Sequence, residues 1–347
     1  MIPPLRYAAL RVIGRRSLPL PAVARRSWVV HPAVRSHRPR AIFLEGQLDR
    51  VEGVQMETTR EIEFSRVLGG EVQHAATVAY EIEGATIVGG SVYAGMGRLR
   101  LLPGRFLPGA LRPAEEELDQ AALDCTYVGN RYFAHWIVDD CPLHLLARGY
   151  APPVGVARTE YPHEGGYLHL WGLQRRRVAS VKVRRLMVFQ DYGQNPSKRA
   201  RHEWLRAPVL ARATARPWPG VYLRRGRSGS PRVLTNEDEI EARLSRRGFA
   251  IIDPEVSSVE QIVAACAGTR AVVGVEGSQM VHALLGLAAP GGTIVALQPP
   301  WRFNNLFKDL ADCLDFRYAF VVGMREPGGF RVNHEELDRT LDLAGLD

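Results

Sequence analysis

The sequence predicts an α/β fold in two halves, the second a parallel sheet covered by helices on both faces. Three observations predict it. Between Val221 and Leu297, short apolar strand-like runs alternate three times with helical patterns, and such alternation implies right-handed crossovers and parallel strands. Between Ala41 and about Leu107, short Val/Ile/Tyr-rich runs alternate with glycines, the pattern of a β-rich segment. The length of 347 residues, 46% of them apolar, suffices for two ordinary cores.

Taken in order, the chain opens with 40 residues that hold nine arginines (Arg6, Arg11, Arg15, Arg16, Arg25, Arg26, Arg35, Arg38, Arg40) and no acid. They account for the formal charge of +8, since without them 36 basic residues face 37 acidic ones. A near-neutral body argues against nucleic acid as a partner, and the excess reads as a basic N-terminal arm over residues 1–40. Leu5, Leu10 and Ile13 alternate there with Arg6, Arg11, Arg15 and Arg16. The arm is therefore either an arginine-rich helix in peripheral contact with an anionic membrane face or a solvated leader. Arginines and prolines interrupt any apolar run before it reaches secretory-signal length, and no stretch approaches the roughly 20 apolar residues of a spanning helix. Cys125, Cys141, Cys266 and Cys313 are dispersed without metal-ligand spacing. They read as small buried hydrophobes in a reducing, cytoplasmic compartment.

Strands are expected at Ala76–Ile82, Ala85–Val88 and Ser91–Ala94, joined at Gly84 and Gly89-Gly90. An apolar segment runs from Phe133 to Leu146. Strands follow at Ala151–Val154 and Val178–Gln190, then a helix at Lys198–Leu210. The Pro217-Trp-Pro-Gly220 cluster is the expected domain joint. Beyond it Val221–Arg224 is a strand. Thr235 caps a helix with Glu237, Asp238 and Glu239 in its first turn and Gly248 at its stop. Phe249–Ile252 is the next strand, and Ser258 with Gln261 forms a capping box. Ala271–Gly274 is a strand followed almost at once by a helix through Met280 and Leu287, and Thr293–Leu297 is another strand. Asn333 and Glu336 open a last helix within residues 331–347.

In an open α/β sheet, ligands sit outside the carboxyl ends of the strands. Gly274-Val-Glu-Gly-Ser278 occupies such a place. Its glycines let the backbone pass close to a ligand, with the N–H groups of Ser278, Gln279 and Met280 facing an anion; a tight turn without ligand uses the same residues. The spacing is neither the dinucleotide fingerprint nor a P-loop. Tyr222-Leu-Arg-Arg-Gly226 and Arg232 read either as guanidinium forks for a diphosphate or as a solvated basic turn. In the first half His135 and Asp139 are four apart, so a helix stacks them on one face, with Asp140 turned away. An aspartate holding one ring nitrogen leaves the other to take a proton from a hydroxyl, although a structural hydrogen bond needs the same pair. His163 and His169 lack ligand spacing. Trp301 and Phe303 read either as a base-stacking pair or as a packed loop.

Together, Asn130…His135-Trp136…Asp139…Pro142, then Tyr222…Arg225…Arg232…Asn236-Glu237, then Gly274…Gly277-Ser278 resemble the glycosyltransferase 61 family in order and spacing, over roughly Asp124 to Pro300. The resemblance implies a GT-B-like fold of two Rossmann-like domains facing across a cleft, an acceptor-side domain over 41–216 and a nucleotide-sugar domain over 217–330. It implies a nucleoside-diphosphate-sugar donor, a saccharide acceptor, inversion at the anomeric carbon and no obligatory metal or other cofactor. It also implies a role in surface or capsular polysaccharide synthesis. On this resemblance His135 is the expected base, oriented by Asp139, which is the alternative base. Arg225, Arg232, Gly274, Glu276, Gly277, Ser278 and Gln279 are the expected donor contacts. The chain departs from the family pattern at Glu276, where histidine is usual, and at His282, where asparagine is usual. A glutamate can grip sugar or ribose hydroxyls but cannot neutralise phosphate. Either donor preference has shifted or activity is weakened, so a catalytically weak nucleotide-sugar or saccharide-binding protein is the alternative function.

Overall fold

The computed structural model describes residues 3–14, 16–103, 114, 116–215, 217–226 and 231–346. The chain forms two compact units, each drawn from two stretches: Met1–Val34 with His74–His202, and Arg35–Gln73 with Glu203–Asp347. These limits differ from the expected boundaries at 41, 217 and 331, because the chain contributes to the second unit twice. The two stretches of that unit are tied by side chains: Arg50 Nη1 bonds Glu336 Oε2 at 2.7 Å, and Asn305 Nδ2 bonds Glu63 Oε2 at 3.0 Å.

A nine-stranded mixed sheet organises the first unit. Its spine is the antiparallel pair Thr77–Val88 and Ser180–Gln190, in register from Val78↔Gln190 to Val88↔Ser180. Hairpins extend one side through Ser91–Ala94 and Gly97–Arg100. On the other side Glu117–Leu123, Pro153–Val156 and Arg177–Val178 run parallel to Ser180–Gln190. This second side has the consecutive parallel strands expected of a Rossmann-like half, whereas the first side is antiparallel apart from the short pair of Leu18–Pro19 with Gly97–Arg100. Gly84 does not divide the long strand as expected: although its φ is 60°, the pairs Glu83↔Arg185 and Ala85↔Val183 hold the ladder on either side of it.

Parts of residues 1–40 pack into the fold. Arg26–His31 is a strand on Thr77–Val88, Arg26 bonds Glu81 at 2.8 Å, and Arg25 pairs with Glu83. Arg38 is buried against Asp309 and Asp312. Carboxylates elsewhere in the chain thus pair with three of the nine arginines that the sequence concentrates here. The helix Pro3–Val12 sets Tyr7 edge-on to Tyr93, with ring centroids 5.5 Å apart; Arg15 lies outside the described residues. No helix among the described residues is long and apolar enough to cross a membrane.

Five parallel strands form the main sheet of the second unit, in the order Ala250–Ile252, Gly220–Leu223, Ala271–Val275, Thr293–Gln298, Arg317–Val322. Continuous runs such as Ala-Val-Val-Gly-Val at 271–275 suit strands buried on both faces. Val273, Val295, Leu297 and Val321 pack with Ile240 and Leu244 of the helix Glu237–Arg246 and with Leu337 and Leu341 of the helix His334–Leu343. Each such side chain, fully buried, contributes about 1.5–3 kcal/mol. The last helix therefore belongs to this core.

The expected capping box is present: Gln261 N donates to Ser258 Oγ at 3.3 Å and Ser258 N to Gln261 Oε1 at 2.8 Å. Asn333 caps the last helix. Thr235 is not a cap, since its hydroxyl donates to the Phe330 carbonyl and Asn236 takes the flanking position. The helix Leu306–Cys313 and the edge strand Arg317–Val322 had no counterpart in the sequence reading.

Candidate functional site

In the first unit, two parallel strands deliver three ionisable side chains to their carboxyl ends. Glu117–Leu123 leads through a loop into a helical stretch from Phe133 to Ala147, with a π-turn over Trp136–Asp140. Such π-turns are rare and gather at functional positions. His135 Nδ1 lies 2.7 Å from Asp139 Oδ2, both side chains about a quarter exposed. The neighbouring strand Ser180–Gln190 leads to Asn195, whose carbonyl Oδ1 accepts from Lys198 N at 3.0 Å at the start of the helix Pro196–Leu210. Lys198, 1% exposed, puts its ammonium 2.8 Å from Asp139 Oδ1 and 3.2 Å from the Asp191 carbonyl.

These contacts fix charge. Burial pushes the Asp139 carboxyl up, but Lys198 and then the hydrogen-bonded His135 pull harder and hold it well below the usual carboxylate range. Burial likewise works against the Lys198 ammonium, and Asp139 with Asp191 outweighs it and raises the pKa. Asp140 faces the other way, as expected, its Oδ1 accepting from Thr126 N and Oγ1 at 2.9 and 2.8 Å. Gly129 is required there: a Cβ would overlap the Asp140 carboxylate.

In the second unit, three adjacent strands of the sheet end in charged residues at one carboxyl edge. Gly220–Leu223 is followed by Arg225, Ala271–Val275 by Glu276, and Thr293–Gln298 by Arg302 and Asn304. Glu276 joins them. Its Oε2 accepts from Arg232 Nη1 at 2.6 Å and Arg302 Nη1 at 2.8 Å, and its Oε1 from Asn304 Nδ2 at 2.7 Å. The Glu276 carbonyl also accepts from Arg232, and from Arg225 Nη1 at 3.4 Å. Burial draws the Arg225 guanidinium below its ordinary value, with Glu276 opposing.

The expected donor residues separate on this geometry. Arg225, Arg232, Glu276 and Gln279 come together, Gln279 Oε1 accepting from Arg225 at 3.3 Å. Gly277 is needed because a Cβ would overlap Arg225 Nη1. Ser278 is half-buried beside it. Gly274 instead serves packing: a Cβ would lie 2.8 Å from Met280 Sδ and 2.9 Å from the Leu223 carbonyl. The α-helix after the turn is only Val281–Gly286, behind a 3-10 turn at Ser278–Met280, so its dipole is small and the guanidinium groups carry the local positive charge. Arg224 points away to Glu241, as the two-residue period of a strand end dictates for the neighbour of Arg225. Phe303 is buried against Phe320 and Phe64, which makes it core, while Trp301 is half-buried with the Arg325 guanidinium 4.6 Å above its ring.

Sequence reasoning missed Lys198, Arg302 and Asn304. Asn195-Pro196 is a recognisable helix start that places Lys198 in a first turn, but nothing local ties it to Asp139. Arg302 and Asn304 follow the Pro299-Pro300 strand end, a position that a rule about carboxyl edges could have flagged.

The first unit thus holds a histidine beside a fixed carboxylate, and the second an α/β sheet with guanidinium groups at its carboxyl edge. Residues 133–295 match the family model described as Glycosyltransferase 61, and the match supports glycosyltransferase family 61 over that stretch. His135, Asp139, Lys198, Arg225, Arg232 and Glu276 fall inside it; Arg302 and Asn304 lie just beyond. The match supports a transferase of the glycosyl class. No curated protein matches the chain significantly.

Proposed function

We propose that the chain is an inverting glycosyltransferase that moves a sugar from a nucleoside-diphosphate donor to a hydroxyl of a saccharide acceptor, in surface or capsular polysaccharide synthesis. The first unit serves the acceptor and the second the donor, a GT-B-like division of labour. His135 Nε2 takes the acceptor proton as the hydroxyl attacks the anomeric carbon, while Asp139 holds Nδ1–H. Charge building on the departing diphosphate meets Arg225 and Arg232, with the Gly277–Gln279 backbone lining the turn. Those guanidinium groups supply neutralisation that a divalent metal supplies elsewhere.

The observation that carries this reading is the 2.7 Å contact of His135 Nδ1 with Asp139 Oδ2. It fixes the tautomer that leaves Nε2 basic. The test is a panel of nucleotide sugars incubated with mixed saccharide acceptors, following nucleoside-diphosphate release and, by NMR, the anomeric configuration of product. Release dependent on acceptor with inverted configuration is expected. Donor binding without any transfer would favour the alternative of a nucleotide-sugar-binding protein, and retained configuration would remove His135 from the role of base.

A further inference from the structure

We propose that Glu276 is a positioning residue that preassembles Arg232 and Arg302 into a two-armed diphosphate clamp, with Arg302 a donor contact. This rests on the reading of the second unit as the donor side.

A carboxylate at the edge of a phosphate site is unfavourable by Coulomb's law alone, so its presence needs a compensating role. The geometry supplies one. The Glu276 side chain is 5% exposed and both its oxygens are occupied, Oε2 by Arg232 and Arg302 together and Oε1 by Asn304. Two guanidinium groups brought to one atom repel each other, and the shared carboxylate holds both in place. The ordering entropy of two long side chains, otherwise lost on binding, is thus spent during folding. Arg302, 23% exposed, keeps part of its side chain accessible to a ligand. The charge count agrees: Arg225, Arg232 and Arg302 against Glu276 leave two net positive charges, matching a diphosphate diester with one negative charge per phosphate. Hydroxyl recognition by Glu276 is left with the remaining acceptor site of Oε1, since Oε2 already accepts from two guanidinium groups.

The two accounts of Glu276 differ in sign. If it is merely a nearby negative charge, Glu276→Gln tightens phosphate binding. If it positions the arginines, the same change weakens binding although the site becomes more positive. The full-length chain is titrated by calorimetry with UDP, GDP, CDP, ADP and inorganic pyrophosphate. The expected result is that Glu276→Gln weakens the best of these by about tenfold or more, the scale of a lost charge-assisted bond. Arg302→Lys, which keeps the charge and loses the fork, should weaken it comparably and decides the matter if Glu276→Gln does not fold. As a readout that a merely structural role would not move, added guanidinium should restore binding to Arg302→Ala, and not once Glu276→Gln is also present. Equal or tighter binding by folded Glu276→Gln, or unchanged binding by Arg302→Lys, overturns the clamp and leaves the donor reading standing. A wild-type protein that binds none of the five probes overturns both.

Discussion

Lys198 Nζ and Asp139 Oδ1 lie 2.8 Å apart, while the other oxygen of the same carboxylate faces His135 Nδ1 at 2.7 Å. The carboxylate is therefore divided between a buried ammonium and an imidazole. An aspartate so held stays ionised well below the pH at which a free carboxyl takes up a proton, and a carboxylate that resists protonation is a poor general base. It is a good anchor: it fixes the imidazole and stabilises the imidazolium that forms when Nε2 takes a proton. For the proposed transfer this argues for His135 as the proton acceptor with Asp139 as the alternative, the order in which the sequence analysis placed them.

The two assignments differ in how the single variants rank. His135→Ala is expected to lower turnover by about 10²–10⁴-fold, the usual range for a lost general base, with donor affinity unchanged. Asp139→Asn should cost less, because the ring stays packed and loses only its orienting charge. Steady-state kinetics on both variants decides it. An Asp139→Asn loss equal to or greater than that of His135→Ala would transfer the role of base to Asp139.

How far this site was legible follows from how far apart its members lie in the chain. His135 and Asp139 are four residues apart, so the helical period alone brought them together. Lys198 stands 59 residues from Asp139, and only the pairing of Glu117–Leu123 with Ser180–Gln190 in the folded sheet joins them. The parallel sheet of the second unit was legible because its strands are continuous apolar runs bounded by caps such as Ser258–Gln261 and stops such as Gly248. The antiparallel spine of the first unit was not, because partners as remote as Val78 and Gln190 carry no mutual signal. Glu276 shows the limit from the other side. Its position at a strand end was readable, whereas its bonds to Arg302 and Asn304, 26 and 28 residues on, were not.

Arg225 reaches the glycine turn from the neighbouring strand, and the missing Cβ of Gly277 makes its approach possible. Arg225→Ala is expected to weaken nucleoside-diphosphate binding by about 1.5–3 kcal/mol, the value of a hydrogen bond to a charged group, without loss of folding. Calorimetry on a variant whose thermal melt matches wild type measures this. Unchanged affinity would take Arg225 out of the donor site.

With guanidinium groups at the strand ends to meet the diphosphate, the proposed transfer does not call on a divalent ion. Turnover is expected to persist after exhaustive treatment with EDTA. A sharp loss that manganese or magnesium restores would contradict this and direct attention to the acidic residues as ligands.

Asp140 offers a prediction of stability rather than activity. Burial pushes its carboxyl up to about 7, against Arg175 and Thr126, which pull it down, while Asp124 and Asp139 add to the rise. Its Oδ2 has no hydrogen-bond partner among the described residues. In the unfolded chain the same group titrates near its ordinary value of about 3.9. Between about pH 4 and pH 7 the folded protein therefore keeps a proton that the unfolded chain has released. Its contribution to stability falls as pH rises through that window and levels off above it. Asp140→Asn retains an oxygen for Thr126 N and Oγ1 and abolishes the titration. The difference in unfolding free energy between variant and wild type should then move in the variant's favour from about pH 4 to about pH 7 and stay constant beyond. Urea denaturation of both proteins at several pH values across that range gives the difference directly, and other titrating groups largely cancel in the subtraction. A difference that does not change with pH would mean that Asp140 is ionised throughout, and the buried carboxylate would then have to be stabilised by Arg175.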